Sequence, residues 1–266
     1  MILMIELPFR SRPFIIGMVH LKPLLGSPGS AGGLDEVISN ALRDLRALQE
    51  GGIDGVLVEN LGDVPYFKDP SSRPEVIASF SRVICELKKE LKVPMGVNLL
   101  RNGCAGALSI AEAFSLSYIR VNVLSEAYVT DQGIIEGCGA ELLRLRAQLG
   151  SKVAILADVH VKHSYPMLQR KISEAARDVV ERGLADAVIV TGSRTGSPPS
   201  QKEIRAVKEA VKVPVIVGSG LTEDNASDLL KYADGAIVGT YLKRDGSIEN
   251  EVDVKRVRKL MKMVRG

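Results

Sequence analysis

Closely spaced cysteine pairs are missing from this sequence. Its three cysteines, Cys85, Cys104 and Cys138, are odd in number, widely separated and without a C-x-x-C pair, which argues against a disulfide framework and a zinc knuckle. Long apolar runs are missing too. No window approaches roughly 18 consecutive apolar residues, and the opening MILMIELPFR has neither a basic start nor a long apolar core, so neither secretion nor a membrane span is expected. Charge of one sign is scarce: 35 basic residues against 32 acidic ones leave a net +3, too little to call for a nucleic-acid partner. These absences describe a cytoplasmic protein in a reducing compartment. The first apolar run also lacks the G-x-G-x-x-G turn expected of a dinucleotide-binding open sheet.

What is present is alternation. The chain has 266 residues, 45% hydrophobic and 25% charged, ordinary for a globular protein. Short apolar runs at residues 14–20, 54–59, 95–99, 118–123, 152–160, 186–191, 215–217 and 236–238 read as strands. Residues 34–50, 73–91, 104–114, 140–149, 171–182, 201–211 and 253–264 read as helices, and one more helix-like segment separates the last two strands. In the first helix Val37, Ala41, Leu45 and Leu48 share a face, and Gly51-Gly52 stops it. No composition shift marks a linker. The expected fold is α/β, a single (β/α)8 TIM barrel spanning residues 1–266.

In such a barrel, function belongs at the carboxyl ends of the strands, and phosphate is frequently held after strands seven and eight. Strand seven ends in Gly218-Ser219-Gly220 and strand eight in Gly239-Thr240, turns that let backbone N–H groups approach an anion. Thr191-Gly192, after strand six, is a third expected contributor, with Arg194 able to join a phosphate contact. On strand five, Asp158, His160 and Lys162 alternate with apolar residues and would share a face if the strand stays extended. They supply candidate base, acid and electrostatic clamp, with Glu59 as a second candidate base. Arg120 and Asn122 alternate on strand four; the arginine needs an anionic partner, either Glu59 or a substrate phosphate or carboxylate. His20 and Asn98, at other strand ends, complete the expected substrate contacts. The D-x-H-x-x-H of strand five is not a zinc motif of recognised spacing, so no metal ligands are assigned and no cofactor is called for, although the residues leave room for a divalent ion. The basic, amphipathic last helix fits packing on the sheet better than contact with an anionic membrane.

The segments GMVHLKPLLGSPG (17–29), ENLGDVPYF (59–67), IRVNVLSEAYVTDQGIIEG (119–137), ADVHVKH (157–163), VTGSRTG (190–196), VGSGLTEDN (217–225) and DGAIVGTYLKRDG (234–246) together resemble the BtpA family. Leu25, and Gly103-Cys104 after strand three, depart from the family pattern. The resemblance implies a TIM barrel of the ribulose-phosphate-binding type, in agreement with the strand count. It implies less about activity, because the family is named for a factor needed for photosystem I accumulation in cyanobacteria and has no agreed reaction. Two expectations follow. The first is an enzyme acting on a small phosphorylated metabolite, a sugar phosphate or nucleotide-like molecule, with lyase, isomerase and N-glycosidic hydrolase chemistry open. The second is a non-catalytic assembly factor that binds a protein or membrane surface. A homo-oligomer is compatible with either.

Overall fold

A computed structural model of the chain describes residues 4–192 and 196–266. Eight parallel strands close into a barrel: β1 (Phe14–His20), β2 (Gly55–Glu59), β3 (Met95–Asn98), β4 (Tyr118–Val121), β7 (Ala154–Val159), β9 (Ala187–Val190), β10 (Val215–Val217) and β11 (Gly235–Val238), which pairs back onto β1. All eight lie within the runs read from the sequence, apart from the single-residue extension at Gly235. Strands covered on both faces read as continuous β-branched and aliphatic segments, as Val215-Ile216-Val217 does here.

Helices α1 (Gly33–Glu50), α2 (Pro74–Glu90), α3 (Cys104–Ala113), α4 (Gly139–Gln148), α5 (Ile172–Glu181), α6 (Gln201–Ala210), α7 (Ala226–Leu230) and α8 (Val254–Arg265) follow the barrel strands in turn. Most bury one apolar stripe, whereas α3 is buried over most of its surface and α4 buries Leu142 beside Arg146, which pairs with Asp186. In α1 the stripe is Val37, Ile38, Ala41, Leu45 and Leu48; in α8 it is Val257, Leu260 and Met261, with Val257 set directly against Gly51 at the end of α1. The apolar face of the basic last helix is therefore spent on packing. Local signals set the ends: Ser200 and Glu203 form a capping box on α6, and Pro74 opens α2. None of the described helices is long and apolar enough to cross a membrane.

The barrel interior is a separate apolar core of Phe14, Ile16, Met18, Leu57, Tyr118, Leu156, Ile189, Ile216 and Ile237. Ile5, Leu7 and Phe9 of the N-terminal lead pack under it, and Phe9 stacks on Phe14 with ring centroids 4.2 Å apart. This lead stoppers the amino end of the barrel.

Two features depart from the sequence reading. A three-stranded antiparallel sheet, in the order β6 (Gly133–Glu136), β5 (Ala127–Thr130) and β8 (Ser164–Pro166), stands beside the carboxyl end. Its inner face buries Tyr128 and Ile135 on Val123 and Val161. The hairpin signal was present, since Asp131-Gln132 lie between two apolar runs and Gly133 takes a φ of +90°. The second departure corrects the cysteine reading. Cys104, at the start of α3, and Cys138, just before α4, form a disulfide across 34 positions of sequence. Spacing gave no hint of it because the barrel brings the N-terminal ends of successive helices side by side.

Candidate functional site

Register places the polar strand ends in a row. His20 pairs with Glu59 across β1 and β2, and Glu59 pairs with Asn98 across β2 and β3. The Asn98 side-chain amide donates to Glu59 Oε2 at 2.5 Å, fixing that carboxylate with one oxygen held. A second group forms on the next pair of strands. Arg120 donates through Nε and Nη2 to the two oxygens of Asp158 at 3.0 Å each, and Asn122 Nδ2 donates to Asp158 Oδ2 at 2.7 Å. The partner of Arg120 is thus neither Glu59 nor an open slot. Arg120 aligns with Leu156 on the neighbouring strand, so its long side chain reaches the inward carboxylate two residues further along. Both charged groups are buried, and although burial opposes the guanidinium charge, Asp158 and Glu59 more than offset it and raise the Arg120 pKa.

These groups border a cavity of about 230 Å³ over the apolar floor of Met18, Ile237 and Val238. His20, Glu59, Arg120 and Lys162 line one side; Gly218, Ser219, Gly220, Gly239 and Thr240 line the other, with Tyr241 and Arg256. Nine of the candidates named from the sequence, Arg120 among them, meet at this cavity. Asn98 and Asn122 stand behind it as supports of Glu59 and Asp158.

The expectation that Asp158, His160 and Lys162 share a face fails at His160. Its φ is +53°, outside the extended region, so β7 ends at Val159 and the alternation is lost. His160 is absent from the cavity lining and its carbonyl accepts from Thr191 Oγ1 at 3.4 Å. Gly192 is also set back: a side chain there would strike the carbonyl of Ser197. Ser219 Oγ donates to Ser197 O at 2.8 Å, stitching the loops after β9 and β10 together. Gly196 carries the first of these loops to the cavity, while Arg194 lies outside the described residues.

Sequence reasoning missed Arg256. It sits in the first turn of α8, its guanidinium lies over the Tyr241 ring at 4.6 Å, and Nε donates to Tyr241 O at 2.5 Å. No carboxylate among the described residues forms an ion pair with it. The signal available was position: the start of a helix following the last strand faces the barrel mouth. Among the described residues, no three His, Cys, Asp or Glu side chains gather as a metal-binding group.

Burial, reinforced by Lys243, Lys162 and Arg120, holds the His20 pKa well below 6.5, so the imidazole is neutral at the site. Below that pH the unfolded chain takes a proton that folded His20 refuses. The unfolded state then binds more protons, and stability falls as pH drops, by up to about 1.4 kcal/mol per pH unit for one histidine. His160, lowered chiefly by burial, adds in the same direction. Urea unfolding from about pH 7 to pH 5 is expected to show this slope, and His20→Gln to flatten it. An unchanged slope in the variant would assign the titration to other groups.

The structure defines a TIM-barrel protein with a cavity at the carboxyl ends of its strands, where polar side chains stand over an apolar floor. The chain belongs to the BtpA family, which matches residues 11–266. An uncharacterised protein of Thermococcus kodakarensis is 50% identical over 257 residues, 97% of each chain. The photosystem I biogenesis protein BtpA of Synechocystis is 43% identical over 250 residues, 94% of this chain and 87% of the relative. Among solved structures, tryptophan synthase of Mycobacterium tuberculosis superposes with a TM-score of 0.63 at 18% identity, covering 96% of this chain and 93% of the other. That likeness is one of fold.

Proposed function

We propose that the protein is an enzyme acting on a small phosphorylated metabolite by acid–base chemistry at the carboxyl end of the barrel. The observation that carries this reading is the two-sidedness of the cavity. On one side, glycine turns at Gly218-Ser219-Gly220 and Gly239-Thr240, with Arg256 beside them, suit a phosphate: backbone groups approach closely and a cation without a carboxylate partner supplies charge. On the other, Glu59 is oriented by Asn98 with one oxygen left for a proton, and neutral His20 stands next to it. Lys162 and Arg120 supply positive charge where an oxyanion would develop. Asp158 acts through Arg120, which it positions; Glu59 takes the role of base.

A thermal-shift series with inorganic phosphate, sugar phosphates and nucleotides tests this. A ligand present at about 100 times its Kd adds about 2.7 kcal/mol to the native state and raises the melting temperature. Arg256→Ala is expected to remove most of the response to inorganic phosphate. The absence of any phosphate-dependent shift in the parent protein would sink the site.

The second reading, a non-catalytic assembly factor, draws on a different surface. Cross-strand neighbours Ile134, Val129 and Tyr165 are exposed on the outer face of the three-stranded sheet, with Met167 and Leu168 following at 61% and 69% exposure. Such an apolar ladder suits a protein partner. It coexists with the cavity and its polar strand-end residues, and these are what favour the enzyme.

A further inference from the structure

Lys162 is delivered to the cavity by an unusual piece of backbone. His160 and His163, with φ of +53° and +56°, bracket Val161-Lys162. Left-handed conformations at residues other than glycine persist only where their surroundings impose them. Here Val161 is buried beneath the three-stranded sheet, β8 begins at Ser164, and the Lys162 carbonyl accepts from Arg101 Nη2 at 2.6 Å. The segment is pinned at both ends, and the half-buried lysine lines the cavity.

The surroundings of that amine do not suit a salt bridge. Among the described residues Lys162 has no ion pair, and Arg120, whose own charge is matched by Asp158, is a cationic neighbour. Glu59 lines the same cavity without approaching within ion-pair distance. A reacting carbon can therefore lie between the amine and the carboxylate. The phosphate cradle on β10 and β11 is two and three strands away around the barrel from β7, leaving room for the rest of a small ligand. Burial first, then Arg120, lower the lysine pKa, against the pull of Glu59 and Asp158. An amine with a lowered pKa is nucleophilic nearer neutral pH.

We propose that Lys162 forms a Schiff base with the carbonyl group of a phosphorylated aldehyde or ketone. The inference rests on the phosphate reading above and narrows it. Glu59 takes a proton from the lysine ammonium, and the free amine lone pair forms a C–N bond at the carbonyl carbon while the C=O π pair moves to oxygen. That oxygen takes one of the protons now carried by the attacking nitrogen, which leaves a neutral carbinolamine. Glu59 then returns its proton to the hydroxyl, the C–O bond breaks, and water leaves. In sum, one ammonium and one carbonyl give one iminium and one water, with no oxidant or reductant. The iminium withdraws electrons from the neighbouring carbon. This favours aldol-type cleavage or isomerisation over N-glycosidic hydrolysis, which needs no amine.

The test is reductive trapping on the full chain. Glyceraldehyde 3-phosphate, dihydroxyacetone phosphate, ribose 5-phosphate and ribulose 5-phosphate are each incubated with the protein and sodium borohydride, followed by intact mass and peptide mapping. The expected result is close to one adduct per chain, on Lys162, formed at least tenfold faster than with unphosphorylated dihydroxyacetone. Lys162→Met and Lys162→Arg should lose this adduct while keeping the melting shift given by inorganic phosphate, which also shows that they are folded. Glu59→Gln should slow trapping without moving its site. Adducts scattered over surface lysines, or none with any probe while phosphate still shifts the melting temperature, overturn the role of Lys162 and leave the phosphate site standing. Loss of both signals in the parent protein overturns both.

Discussion

Replacing Arg120 with methionine is expected to lower the unfolding free energy by about 3–5 kcal/mol, because it leaves the Asp158 carboxylate buried without its counter-charge. The side chain of Asp158 is wholly shielded from solvent, and Arg120 engages both of its oxygens. Asn122 remains as a donor but carries no charge. A loss of this size is a large part of the roughly 5–15 kcal/mol that holds a typical domain together. The double variant Arg120→Met with Asp158→Leu is expected to recover much of it, since removing both charges removes the desolvation cost as well. Urea unfolding of the three proteins decides the matter. A single variant within about 1 kcal/mol of the parent would mean that the carboxylate finds water or another partner.

Gly220→Val is expected to abolish the phosphate-dependent melting shift. Gly220 has a φ of +69°, and a Cβ built there would lie 2.2 Å from the backbone nitrogen of Pro198. The obstacle is main chain, so no rotamer relieves it, and the loops after β9 and β10 must separate. They are the loops that Ser219 and Ser197 join at 2.8 Å. Backbone strain at a single such position costs on the order of 1–3 kcal/mol by itself. Gly150→Val isolates that part: φ is +61°, nothing stands within 4 Å of the added Cβ, and the position is outside the cavity lining. That variant should be less stable yet keep its full response to phosphate. An equal loss of response in both variants would put the effect down to general destabilisation.

The barrel was legible because strands buried on both faces must be apolar and β-branched, and because Gly218 to Gly220 and Gly239 interrupt that pattern where the chain leaves the sheet. His20, Glu59, Arg120 and Lys162 were legible for the complementary reason, as polar residues at the ends of apolar runs. What escaped depends on geometry that spacing does not carry. Period-two reasoning assumes extended backbone, and His160 breaks it with a positive φ. The choice of Asp158 over Glu59 as the partner of Arg120 is fixed by which strands are neighbours in the closed barrel. The Cys104–Cys138 disulfide and the arrival of Arg256 at the cavity are likewise products of closure, joining positions that look unrelated along the chain.

The stopper at the amino end has a consequence for traffic. Ile5, Leu7 and Phe9 seal the bottom of a barrel whose interior is already filled, so the described cavity opens toward the carboxyl-end loops. Whatever enters must leave by the door it came through. If the proposed reading holds, a product that keeps its phosphate would occupy the cradle against the next substrate, and competitive product inhibition is the expected kinetic pattern.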